Sequence, residues 1–183
     1  MNIAVFASGN GSNFEAIAKT KFKKIKIKLL ITDKENAYCI ERSKRLNIPY
    51  FVFPYKKFKS KKEYEENILK KLKEEKIDVI VLAGYMRILE DTILNAYENK
   101  IINIHPSLLP AFKGMNAIEE AYKAGVKIIG ITVHYVNKEL DGGEIIAQEC
   151  FKIKNLTLKE TEAKIHKLEH KLYPKVLKEL FDR

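Results

Sequence analysis

The chain predicts an α/β domain: a single-domain, Rossmann-like open sheet, mostly parallel, with helices on both faces. Two observations lead there. Short apolar runs alternate with amphipathic stretches along the 183 residues, the pattern of repeated β–α units. Late in the chain two longer apolar runs, IIGITVHYV (128–136) and EIIAQECFKI (144–153), follow each other with only a turn-like segment between, which puts an antiparallel strand near the C-terminal part. Hydrophobic residues make up 46% of the chain, enough for one full core, so residues 1–183 read as one domain.

The elements follow in order. NIAVFA (2–7) is an apolar run of strand length, and SNFEAIAKT (12–20) opens a helix. IKIKLLIT (25–32) alternates at its start and then becomes continuously apolar, as a half-exposed strand entering a core does. AYCIERSKRLN (37–47) is helical, YFVF (50–53) is a short strand, and KKEYEENILKKLKEEK (61–76) is a long helix. DVIVLAG (78–84) is a buried strand, DTILNAYE (91–98) a short helix, IINIH (101–105) a strand, and AIEEAYKAG (117–125) a helix. TLKETEAKIHKLEHKLYPKVLKELF (157–181) closes the chain as a helix. No internal repeat or low-complexity tract interrupts the series.

The net charge of +10 is nearly all lysine. In 61–76 the lysines interleave with glutamates at helical spacing, which describes a solvated face rather than a nucleic-acid surface. The excess also suits anionic small molecules, and no nucleic-acid partner is expected. No apolar run reaches membrane-spanning length, so no membrane association is expected either. Met1 leads directly into a strand without a signal-peptide pattern. Cys39 and Cys150 lie far apart without CxxC spacing and read as two small buried residues of a reduced, cytoplasmic protein.

In open α/β sheets ligands bind beyond the carboxyl ends of the strands, which directs attention to three loops. ASGNGSN (7–13) joins a strand to a helix, where glycines allow close approach and free N–H groups bind phosphate. A dinucleotide fingerprint with Asp33 as the ribose acid is disfavoured, because Phe14 stands where the third glycine belongs. The bland alternative is a glycine turn with a serine cap. Asn103 and His105 project to one side of a strand, and Pro106 keeps His105 extended. An imidazole can move a proton near neutral pH and an amide can donate to an oxyanion. NKELDGGE (137–144) reads as a hairpin turn unless Asp141 reaches His105, where a carboxylate would favour imidazolium. No HExxH motif or Cys/His cluster is present, so no metal is expected.

ASGNGSN, LAGYMRIL (82–89), NIHPSLLPAFKG (103–114), GITVHYVNKELDGGEIIAQ (130–148) and LEHKLYP (168–174), in this order, closely resemble the phosphoribosylglycinamide formyltransferase family, folate-dependent enzymes of purine synthesis within the formyltransferase superfamily. The resemblance spans essentially the whole chain. It implies 10-formyltetrahydrofolate as co-substrate and glycinamide ribonucleotide as acceptor, with Asn103, His105 and Asp141 catalytic. It implies that Gly11, Ser12, Asn13, His166 and Glu169 bind the ribonucleotide. It implies a folate cleft formed by Lys61, Met86, Arg87, Ile88, Leu89, Asn103, Asn137, Lys138, Glu139, Leu140 and Asp141. The Lys61 position commonly holds arginine in the family, and the Glu144 position proline. A cis Leu109–Pro110 peptide and a monomeric or homodimeric state are further implications. A formyltetrahydrofolate hydrolase would use the same Asn, His and Asp, and a methionyl-tRNA formyltransferase would add an RNA-binding domain.

Overall fold

The computed structural model describes all 183 residues. The elements are β1 (Asn2–Phe6), α1 (Ser12–Ala18), β2 (Lys26–Thr32), α2 (Tyr38–Arg45), β3 (Tyr50–Val52), α3 (Lys61–Glu74), β4 (Val79–Leu82), α4 (Asp91–Ala96), β5 (Ile101–His105), α5 (Ala117–Lys123), β6 (Ile128–Tyr135), β7 (Ile145–Lys152) and α6 (Leu158–Phe181). All seven strands share one sheet in the order β3-β2-β1-β4-β5-β6-β7. The first five are parallel, β6 runs antiparallel to β5, and β7 antiparallel to β6. The expected open, mostly parallel sheet is therefore present. A 3-10 turn at Tyr55–Lys57 is the one element the sequence pattern does not announce.

Each face of the sheet has its own core. On one face Ile3, Val5, Ile102, Ile104 and Val133 pack with Phe14 and Ile17 of α1 and with Leu172, Tyr173 and Val176 of α6. On the other, Ala4, Phe6, Ile80, Leu82 and Ile101 pack with Tyr64, Ile68 and Leu72 of α3 and Ile93 of α4. The two-residue alternation of strands explains the division. Asn103 and His105 share the period of Ile101, so they point to the face that α3 and α4 cover.

Helix α6 begins with a capping box: Thr157 Oγ1 accepts from Glu160 N, and the Glu160 carboxylate accepts from Thr157 N. Its Tyr173 is fully buried, and the hydroxyl lies 2.9 Å from the carbonyls of both Leu82 and Ile102. This shared bond ties the closing helix to β4 and β5. The lysine-rich face of α3 carries i,i+4 pairs, Lys62–Glu66 at 3.9 Å and Lys71–Glu75 at 3.0 Å, as a solvated helix face should.

One expectation fails here. Cys39 is buried, but Cys150 is exposed. β7 is the edge strand, and alternate residues along it face solvent, so an apolar-looking run there does not mean burial.

Replacing Tyr173 by Phe keeps the packing but leaves two buried carbonyls without this donor. The expected loss is about 1–3 kcal/mol of unfolding free energy, read by urea denaturation. A loss too small to measure would mean that the Tyr173 hydroxyl does not help hold α6 to the sheet.

Candidate active site

The carboxyl ends of the central strands lie side by side. Phe6 registers with Leu82, and Leu82 with Asn103, so the loops after β1, β4 and β5 emerge together. Ser8 N donates to Gly84 O at 3.0 Å, and Met86 N donates to Ser8 Oγ at 2.9 Å, which ties the first two loops. After β5 the chain makes a cis Leu109–Pro110 peptide. Leu109 N donates to Thr132 Oγ1 (3.1 Å), which donates to Ser107 O (2.7 Å). Gln148 Nε2 donates to Leu109 O at 3.0 Å. These bonds hold the proline loop against β6 and β7.

The segment after β6 folds back over β5 and brings Asp141 to His105. Asp141 Oδ2 lies 3.5 Å from His105 Nδ1 and accepts from Gly114 N at 2.8 Å. The second nitrogen of His105, Nε2, lies 2.8 Å from Phe112 O. Both imidazole nitrogens thus face acceptors, an arrangement that imidazolium, with two N–H donors, satisfies. Asp141 Oδ1 lies 3.8 Å from Nε2 of His134, which in turn lies 3.2 Å from Asn103 Nδ2. Burial pushes the His134 pKa down, against the opposing pull of the Tyr135 carbonyl and Asp141.

A second polar group sits where α1 meets α6. Asn13 Nδ2 donates to Glu169 Oε2 at 3.0 Å, and His166 Nδ1 lies 2.9 Å from the same oxygen. Glu169 is buried, and its hydrogen bond raises the His166 pKa. Gly11 precedes the helix in a left-handed conformation (φ 73°), and a Cβ there would stand 2.5 Å from Cys39 Cβ. Its glycine is therefore required by packing against α2, whatever the loop binds. Ser12 is not a helix cap, because Gly11 occupies that position and no side chain caps α1. The first-turn N–H groups have no partner inside the helix. Arg42 secures the loop through Asn10 O and Asn10 Oδ1, both at 2.8 Å, and also bonds Glu15.

Beyond β4 a cleft of about 220 Å³ is lined by Tyr55, Lys61, Tyr64, Glu65, Met86, Arg87 and Ile88. Met86 and Ile88 are 58% and 65% exposed, and Leu140 in the loop after β6 is 51% exposed. Large apolar side chains left open beside a cleft suit a flat, largely apolar ligand. Arg87 pairs with buried Asp33 at 2.9 Å and stacks over Tyr55, so Asp33 serves this wall. Lys61 pairs with Glu90 at 2.7 Å. Burial pushes the Tyr64 hydroxyl up to about 12. No group of three His, Cys, Asp or Glu side chains is disposed to hold a metal, and no helix is long and apolar enough to cross a membrane.

Residues 1–177 match the formyl transferase family model. The chain belongs to the formyl transferase family. It is 52% identical over 182 residues to the phosphoribosylglycinamide formyltransferase of Bacillus subtilis, covering 97% of this chain and 93% of that protein. Among solved structures, the glycinamide ribonucleotide transformylase 1 of Geobacillus kaustophilus superposes with a TM-score of 0.95 at 48% identity, with 98% of each chain covered. The phosphoribosylglycinamide formyltransferase of Bacillus halodurans gives 0.95 at 47% identity, over 98% of this chain and 95% of that one. The chain is accordingly a group-transferring enzyme of the formyltransferase type.

Within this formyl transferase, the residues singled out from the sequence fall into three groups. Asn103, His105 and Asp141 come together, as do Asn13, His166 and Glu169. Lys61, Met86, Arg87 and Ile88 line the cleft, but the side chain of Leu89 is buried in the core with Ile93 and Leu94, so only its backbone is available. Asn137 Oδ1 caps its own turn by accepting from Glu139 N. Lys138 pairs with Asp91 and Glu139 with Lys113, each at 2.6 Å. Two residues were not anticipated, His134 and Arg42. His134 alternates within an apolar strand and looks like a core polar residue; only the strand register places it opposite Asn103.

The His166–Glu169 contact has a pH signature. A raised imidazole pKa stabilises the fold fully below the ordinary histidine value, and that contribution is lost as pH rises through the raised one. In an NMR titration His166 should have a midpoint above the ordinary value, and Glu169→Gln should bring it down. A midpoint indifferent to Glu169 would mean that the contact is not formed in solution.

Proposed function

We propose that this chain, as a single formyltransferase domain, transfers the formyl group of 10-formyltetrahydrofolate to the amine of 5'-phosphoribosylglycinamide. The products are formylglycinamide ribonucleotide and tetrahydrofolate, in cytoplasmic de novo purine synthesis. The observation that carries this reading is the meeting of Asn103, His105 and Asp141 between a helix-opening glycine loop and an apolar-walled cleft. The phosphate would lie on Gly11, Ser12 and Asn13, with Glu169 and His166 accepting and donating to the rest of the ribonucleotide. The folate would enter between Met86, Arg87, Ile88 and the Leu89 backbone on one side and residues 137–141 on the other, its acidic tail toward Lys61.

The neutral amine attacks the formyl carbon directly. A carbon–nitrogen bond forms, and negative charge gathers on the formyl oxygen, where Asn103 and His105 donate hydrogen bonds. For His105 to do so through Nε2, that N–H must exchange the Phe112 carbonyl for the oxyanion. Collapse of the intermediate breaks the bond to the folate nitrogen. The proton lost by the amine reaches that nitrogen by way of Asp141 and water. No covalent enzyme intermediate is needed, and Cys39 suits none: it is buried, and burial raises its thiol pKa.

The deciding experiment incubates the protein with 10-formyltetrahydrofolate, with and without glycinamide ribonucleotide, and follows the folate product. Turnover that requires the ribonucleotide is expected. Equal turnover without it would make the protein a formyltetrahydrofolate hydrolase. Asn103→Ala removes an oxyanion donor and should lower kcat by about 10²–10³-fold. A folded variant with near-full turnover would reduce Asn103 to a structural polar residue.

A further inference from the structure

The hydrogen-bonding inventory around His134 settles a question that atom positions alone leave open, namely which end of the Asn103 amide faces which way. His134 Nδ1 lies 2.8 Å from Tyr135 O. A carbonyl oxygen only accepts, so Nδ1 carries the proton. In the neutral ring Nε2 is then a bare lone pair. The Asn103 atom 3.2 Å from it must be the donor, Nδ2, because a carbonyl oxygen there would face a lone pair. The second Nδ2 hydrogen is left free. His134 is 1% exposed, so water cannot substitute for it.

We infer that His134 is a positioning residue that sets the orientation of the Asn103 amide, holding its NH2 end toward the reacting formyl oxygen while the imidazole is neutral and releasing it when Nε2 is protonated. This inference rests on the reaction proposed above for its kinetic consequence, but not for its structural one. A protonated Nε2 is a donor and needs an acceptor. Asp141 Oδ1, at 3.8 Å, lies beyond hydrogen-bond distance, so the adjacent Asn103 supplies one by turning its Oδ1 inward and swinging the NH2 group away. The transition state then loses a donor without either substrate losing a ground-state contact.

The charged and titratable groups facing His134 oppose one another. Asp141, from the segment after β6, lies 3.8 Å from Nε2 and favours imidazolium, whereas His105, from β5, disfavours it. β7 contributes uncharged Ile145 opposite. Burial is the largest influence and lowers the pKa. Neutral His134, and the productive amide, therefore persist above a midpoint that lies below the ordinary imidazole value. Activity should fall as pH drops through it.

Two variants separate the possibilities. His134→Gln supplies a side-chain oxygen that accepts from Asn103 but does not titrate, and His134→Leu supplies no acceptor. In the ligand-free wild type, the Asn103 side-chain amide resonances, assigned with Asn103→Ala, should shift with the same midpoint as the His134 ring nitrogens. That shift should vanish in His134→Gln. In kinetics, His134→Leu should lower kcat by about 10–10²-fold, with KM for both substrates changed by less than about twofold. His134→Gln should restore most of kcat and delete one step from the acid limb of its pH profile. Asn103 resonances indifferent to His134 protonation would overturn the inference, as would a His134→Gln enzyme that keeps the full acid limb. If the wild type transfers no formyl group at all, the proposed reaction fails while the NMR arm still decides the orientation. If His134→Leu does not fold, His134→Gln decides alone.

Discussion

The carboxylate of Asp141 is the contact on which the site depends. It joins three segments far apart in sequence: the end of β5 through His105, the proline loop through Gly114 N–H, and β6 through His134. A carboxylate that is only 9% exposed needs such partners, since an unpaired buried charge is costly. The same partners fix it in place. Each of its oxygens faces a different imidazole, so the charge that orients one histidine is felt by the other. His105 and His134 thus face one carboxylate from two different strands.

The sheet explains why these groups meet. Five parallel strands bring three loops to one edge, and the antiparallel β6 adds polar side chains of its own beside β5. Directly opposite residues in an antiparallel pair point to the same face, so the pairing Asn103↔His134 and His105↔Thr132 lays four polar side chains in a compact square. Thr132 steadies the proline loop and His134 steadies Asn103. Tyr173 then fixes the spacing to the second polar group. Its hydroxyl rests on the carbonyls of Leu82 and Ile102, and Glu169 lies one helical turn earlier, about 6 Å along the axis. The Asn13, His166 and Glu169 group is thereby placed at a set distance from Asn103 and His105.

Much of this was legible in the sequence because strand and helix periods differ so clearly. Asn103 and His105 were readable as a pair from their i,i+2 spacing at a strand's end. Asp141 was readable only as a turn residue with a conditional role, because nothing local says where a glycine-flanked loop will fold. His134 was illegible for the same reason: its meaning depends on register across β5 and β6, and register is a long-range property. Leu89 was assigned to the cleft with its neighbours, yet a run such as Met86-Arg87-Ile88-Leu89 must turn, and its last member turns inward. Cys150 misled in the opposite direction, because an edge strand can be rich in apolar residues and still be half exposed. Arg42 carries no motif at all; its contact with Asn10 follows from how α2 packs on the first loop.

The loop after β6 is held unequally along its length, and this bears on how the cleft receives a ligand. Its tip is tied by Lys138–Asp91 and Lys113–Glu139, exposed surface pairs that solvent and salt screen and that hold the chain only weakly. Its base is held far more firmly. Gly143 packs so closely that a Cβ would stand 1.7 Å from Tyr135 O, and Tyr135 N donates to Glu144 O at 2.9 Å. Asp141 is locked by the Gly114 N–H and two histidines. Exposed Leu140 therefore sits on the compliant stretch, one residue from the rigid one. It can shift at the expense of weak surface pairs, while the neighbouring carboxylate keeps its place against His105. A loop that presents an exposed apolar side chain to a cleft and, next to it, a carboxylate fixed against an imidazole needs this division between neighbouring residues.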